Sequence, residues 1–138
     1  MAVIDLAGSI VTLLAAQWVP ANMNRGFTPI IDRDAEMEAW NAPRRICVRE
    51  MQSTHRVMDL MNAVQEVTRM YQADLYALDR DDALDMREEV DRIINANNND
   101  PFSGVVFLVQ GKWEDLGGSM GNYFRYTCTL QATSYSST

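Results

Sequence analysis

The side chains able to do acid–base, nucleophilic or metal chemistry are few, and their spacing fits no catalytic arrangement. A single histidine, His55, stands beside Thr54, with no acid or thiol spaced around it as nucleophile and orienting group. It reads as a surface histidine. Two cysteines, Cys47 and Cys128, cannot make a disulfide framework, and with one histidine they fall short of a four-ligand zinc site. Both lie in strand-like segments and read as buried thiols. Glu114 and Asp115 are adjacent, so on a strand they point to opposite faces and cannot pair as acid and base. Asp79, Asp81, Asp82 and Asp85 could gather a divalent cation, but at the start of a helix they serve as caps. Gly117-Gly118-Ser119-Met120-Gly121 is glycine-rich. A phosphate loop needs a strand before it, a helix after it and a Lys-Ser/Thr pair. Here a strand follows and Lys112 comes before, so the stretch reads as a hairpin turn. The expectation is a protein that is not an enzyme, with no cofactor and no catalytic, cofactor-binding or metal residues.

Composition narrows the partners. A chain of 138 residues, 47% apolar and 22% charged, suits one globular domain spanning 1–138 with a core of its own. The net charge is −7, and of twelve basic residues only Lys112 is lysine. No basic face is available for nucleic-acid recognition. An acid-rich, lysine-poor surface suits high salt; a G+C-rich genome would leave the same mark. The longest apolar stretch, 1–18, carries Asp5 and no basic residue, unlike a signal peptide. Asp5, Ser9, Thr12 and Gln17 interrupt it too often for a membrane span.

The elements follow from periodicity. Val3, Leu6, Ile10, Leu13, Leu14 and Trp18 form a helical stripe over about 3–17, stopped before Pro20. Ala83, Met86, Val90, Ile93 and Ile94 form a second over 81–96, with Arg87, Glu88, Asp91 and Arg92 turned to solvent. Alternation predicts strands over 44–51, 65–78, 104–113 and 122–133, with 28–32 touching a sheet edge. The strand–helix–strand order from 65 to 113 resembles half of a ferredoxin-like unit. The predicted fold class is α/β (α+β): a mixed, mainly antiparallel sheet of about four strands packed by two helices. Residues 52–63 read as a loop or hairpin tip, projecting near 52–66. Residues 114–121 read as a turn, and 134–138 as a flexible tail or a strand completed by a partner. The alternating run 64–78 is about 40 Å long, twice an ordinary strand. Part of it should project or pair with another chain. The candidate subunit or partner interface is therefore His55, Val57, Met58, Leu60, Met61, Arg69, Tyr71, Tyr123 and Arg125.

Short phrases in a fixed order carry a resemblance. They are Ala-Ala-Gln-Trp-Val-Pro-Ala-Asn (15–22), Pro-Arg-Arg-Ile-Cys-Val-Arg-Glu (43–50), Tyr-Ala-Leu-Asp-Arg-Asp-Asp-Ala-Leu (76–84) and Met-Arg-Glu-Glu-Val-Asp-Arg-Ile-Ile (86–94). Trp-Glu-Asp-Leu (113–116) and Tyr-Phe-Arg-Tyr-Thr-Cys (123–128) close the series. In this order the chain, over about 2–133, resembles the tail-terminator, or tail-completion, proteins of long-tailed bacterial and archaeal viruses. The resemblance implies a structural virion protein made in the host cytoplasm. It forms a homohexameric ring that caps the tail tube and joins it to the neck, with no catalytic residues to carry over. Its partners would be further copies of itself, the tail-tube protein and a neck or connector protein, with DNA only as passing cargo and no membrane. A head–tail connector or neck adaptor is the alternative, and a small ferredoxin-like ligand-binding domain a more distant one.

Overall fold

A computed structural model describes residues 6–33, 43–57, 64–102, 104–120 and 123–137, with backbone alone at 52–57, 64–65, 117–120 and 136–137. Helix α1 (Leu6–Gln17) buries Leu6, Ala7, Ile10, Leu13 and Leu14, the stripe its periodicity predicts. The residues before Leu6, where the expected helix begins, lie outside those described. A 3-10 turn, Pro20–Asn22, follows. Helix α2 (Arg80–Ala96) buries Ala83, Met86, Val90, Ile93 and Ile94 as expected, and also Asp82 and Glu89. The Asp79 carboxylate caps it by accepting the Asp81 and Asp82 backbone N–H groups at 2.9 and 3.4 Å.

Among the described residues seven strands form the sheet: β1 (Ile30–Arg33), β2 (Arg44–Val57), β3 (Val64–Ala77), β4 (Asn99–Phe102), β5 (Val105–Gln110), β6 (Glu114–Met120) and β7 (Tyr123–Ser137). Their order is β1-β2-β3-β7-β5-β4, with β6 also paired to β7. β1 is parallel to β2; every other pair is antiparallel. β3 and β5 are both antiparallel to β7, which lies between them, and α2 connects them. This is the split strand–helix–strand unit that the order of elements suggested.

The sheet is larger than the expected four strands, and the reasons lie in β7. That strand presents a ladder to β3 over its whole length, from Phe124 opposite Ala77 to Ser137 opposite Val64. Its other edge is shared by β5, opposite 130–133, and β6, opposite 123–127. Residues 114–120 therefore form a strand and not the expected turn: partnering β7 outweighs the poor strand preference of Glu114, Asp115 and two glycines. The connection hands over at Gly111, whose N–H donates to the Thr129 carbonyl at 2.7 Å. A Cβ there would stand 3.4 Å from that oxygen, so glycine suits the close approach.

Residues 134–137 likewise belong to a strand completed within the chain. The same is true of 52–57, expected as loop, which pair with 65–70 across a bulge between Glu50 and Gln52. The overlong β3 thus has both edges paired inside one chain, with β7 along its fourteen residues and with β2 over 65–77. No second chain is needed for its backbone hydrogen bonds.

Both helices pack on one face. Ile46, Val48, Tyr71, Ala73, Leu75, Ala77, Leu108, Tyr126, Cys128, Leu130 and Ala132 line it and merge with the two helix stripes into a single core. α1 contacts the β1 edge and, at its other flank, borders a groove closed by Pro101 and Phe102 of the β4 edge. The sheet curls so that both its edges come to α1.

Polar contacts lock the helices together. The buried Glu89 carboxylate accepts the Val19 N–H at 2.7 Å, Asn22 Nδ2 at 3.0 Å and Arg92 Nε at 2.7 Å. Arg92 also donates to the Gln17 carbonyl at the end of α1, at 2.7 Å. Gln17 and Asn97 exchange amide hydrogen bonds at 2.8 and 3.3 Å, joining the two helix C-termini. Arg92, chiefly, and the other donors to Glu89 pull its carboxyl down to about 2. An unfolded glutamate titrates near 4.3, so this stabilisation is complete above that pH and fades as the pH falls toward 2. It amounts to about 3 kcal/mol at neutral pH. Urea unfolding of Glu89→Gln at neutral pH is expected to show a loss of about that size. The gap from wild type should close between about pH 4.5 and pH 2. A constant gap across that range would remove this account.

Candidate assembly interface

Alternation leaves a second face on the sheet, and among the described residues no helix covers it. Asp74 sits at its centre, with its side chain 1% exposed. One carboxylate oxygen accepts Arg49 Nη2 at 2.8 Å, with Arg125 Nη2 at 3.8 Å. The other accepts Gln72 Nε2 at 2.9 Å, which also reaches Thr127 Oγ1 at 2.9 Å. Arg125 lies over the Tyr76 ring, 5.4 Å from its centroid. Burial, then the Asp74 charge, raises the Tyr76 phenol above its ordinary pKa. Further along, Arg45 is buried and makes a two-pronged pair with Asp32 of β1 at 2.8 and 3.2 Å. Strand register explains the set: Cys47, Asp74 and Thr127 form one row, and Arg45, Tyr76 and Arg125 the next.

Away from this cluster the open face turns apolar. Phe107, Val109 and Tyr135 are exposed, as is Met51 at the β2 bulge. A recess of about 180 Å³ lies beside the cluster, bordered by Gln72, Thr127, Lys112 and Glu114. On the helix side, the groove of about 550 Å³ between α1 and β4 is lined by Gly8, Ser9, Thr12, Leu13 and Ala16 with Pro101 and Phe102. Helix α1 carries no charged residue from 6 to 17.

The predicted interface residues divide. Met58, Leu60 and Met61 lie outside the described residues. His55 and Val57 stand near the end of β2, opposite Val67 and Gln65. Arg69 and Tyr123 are half-buried, in β3 and at the start of β7. Arg125 joins the Asp74 cluster. Tyr71 does not belong to an interface: it is 1% exposed and shares its face with Ala73 and Leu75, under the helices. The sequence reading passed over Asp74, Gln72 and Arg49. Their signal was present, an aspartate in mid-strand facing arginine on the neighbouring strand, but register is needed to see it.

The other groups weighed for chemistry are engaged structurally. Asp79 caps α2 and holds Arg25 at 3.1 Å. Asp82 holds Arg44 at 2.9 Å, whose guanidinium lies 4.0 Å over the Phe27 ring. Asp85 accepts the Asn24 N–H at 3.0 Å. Asp91, expected in solvent, accepts Trp113 Nε1 at 2.7 Å, while Arg87 lies over Tyr126 at 4.9 Å. Cys47 and Cys128 are buried thiols outside any disulfide, and burial, chiefly, pushes the Cys128 thiol up to about 12.

No protein-family model and no curated protein matches the chain. A solved structure does: the sheath/tube terminator of the extracellular contractile injection system PVC, seen in its extended state by cryo-electron microscopy. It superposes with a TM-score of 0.60 at 14% identity, over 100% of this chain and 57% of that one. The likeness shows the fold, a mixed α+β domain with a curled mixed sheet and two helices. The present chain spans little more than half the length of that terminator.

Two outcomes are expected. Asp74→Ala leaves Arg125 without its carboxylate in a largely buried setting and should cost about 3–5 kcal/mol, read by thermal or urea unfolding. Arg49→Ala, at a half-exposed partner, should cost far less. In native protein near pH 8 a thiol reagent should label neither cysteine, and in denaturant it should label both.

Proposed function

We propose that the chain is a structural tail-terminator protein. It forms a ring, most simply of six copies, that caps a tail-like tube and joins it to the neck of a tailed virus. The observation that carries this is the superposition of the whole chain on a sheath/tube terminator, in agreement with the resemblance carried by the phrases between 15 and 128. A contractile injection particle is the second setting, since that terminator comes from one. The reading includes no enzymatic activity and no cofactor. Its partners are further copies, the tube protein and a neck or connector protein, with DNA as cargo only.

The open sheet face and the uncharged groove along α1 support an assembly role, because both are surfaces that a lone domain leaves in water. Edge management agrees with it. β1 and β4 are each four residues long, and proline precedes one and interrupts the other, so these two strands are poor templates for strand addition.

Native mass spectrometry of the purified chain, with or without the tube protein, is expected to give a closed ring at a multiple of the 15.6 kDa mass. A tag on the chain should appear in particles at the end of the tube that meets the neck. A monomer under every condition, or a tag found along the tube wall, would refute the reading.

A further inference from the structure

We infer that the open sheet face of one copy receives the helix layer of the next, with the acidic outer stripe of α2 set against the basic rim around Asp74. This rests on the ring reading and names the contact within it. Around its centre the open face sets Arg49, Arg125 and Lys112 against Asp74 and the exposed Glu114. Arg49 shares the single Asp74 carboxylate with Arg125 and is 43% exposed. Arg125 Nε is buried without an acceptor, and Lys112, the only lysine of the chain, stands exposed at the adjoining recess. The exposed Arg49 and Lys112 are the cations a second copy can reach, and a carboxylate is the acceptor that pairs best with either.

The chain supplies such carboxylates on its opposite layer. Asp81, Asp85 and Glu88 follow one another on α2 at spacings of four and three, one stripe on the helix surface. Asp81 and Glu88 are exposed. Arg92, next on that stripe, is held back by Glu89 and the Gln17 carbonyl and does not neutralise them. Helices cover one side of the sheet and nothing described covers the other, so stacking copies front to back continues the layering that α/β domains use to bury a sheet. Such a contact joins two different surfaces, the kind that builds a ring when its rotation closes.

The area suffices. Four strands about 4.8 Å apart, over roughly eleven residues at 3.3 Å, present about 700 Å² per copy. Both partners together then bury about 1,400 Å², the size of a stable interface.

The single lysine makes the test direct. Full-length protein, mixed from isotopically light and heavy batches and treated with a carbodiimide, is expected to yield peptides joining Lys112 of one batch to Asp81, Asp85 or Glu88 of the other. Glu88→Arg and Lys112→Glu should each weaken association about tenfold, and the double variant should recover it, with unchanged thermal unfolding in all three. A ring that forms without this cross-link, or that tolerates both single reversals, overturns the contact while leaving the ring reading intact. A cross-link from Lys112 to the tube protein alone also overturns it. A chain that never leaves the monomer overturns both.

Discussion

A strand of fifteen residues has backbone hydrogen bonds to satisfy on two edges, and in this chain β7 finds one partner along nearly all of one edge and two more over 123–127 and 130–133 of the other. One edge takes β3 along its length; the other takes β5 and β6 in succession. The rest of the architecture follows. β3 and β5 must run parallel, so α2 has to cross between them over one face. Glu114 to Met120 must be extended, because the first part of β7 would otherwise lack a partner. The long ladder fixes register, and register decides which side chains of each strand lie beneath the helices.

The two faces then answer to different physics. The covered face is apolar and held by burial. The open face is held by charge, with Asp74 at its centre as Glu89 is at the centre of the helix pair. In both places a buried carboxylate is matched to an arginine that reaches water, so each charge is paired without the pair being sealed from solvent. The chain has eleven arginines and one lysine to spend on such contacts. Arg44 on Phe27, Arg87 on Tyr126 and Arg125 on Tyr76 use the flat guanidinium against a ring, a geometry that an ammonium fills less well.

Much of this was legible in the sequence. Both helix stripes, the starts of β2 and β3, and the edge character of 30–32 follow from apolar period and proline position. What was not legible depends on partners distant in the chain. Residues 52–57 have no convincing period, and only the facing ladder of β3 makes them strand. Residues 114–120 carry the glycines and acids of a turn and are overruled by β7. Glu89 looks like one more solvated acid until Val19, Asn22 and Arg92 surround it. The length of β3 was visible, but the tail 134–137, read as a flexible end or a strand completed by a partner, pairs with β3 in the same chain. Tyr71 was placed on the wrong face, since alternation names two faces but not which one the helices will take.

The same ladder sets an order of events as the chain is made. β2 and β3 can form their hairpin as soon as both exist, but the other edge of β3 stays bare until α2, β4, β5 and β6 have all been synthesised and β7 appears. Throughout that interval the nascent chain exposes a fourteen-residue edge beside an uncovered apolar face. This is a surface prone to pair with a second nascent copy. The most distant pairing in the fold is also the one that seals it, so folding is governed by non-local contacts and is slow for its size. On the ring reading, a chain that has to meet copies of itself in one defined way is thus exposed, while it is being synthesised, to meeting them in another.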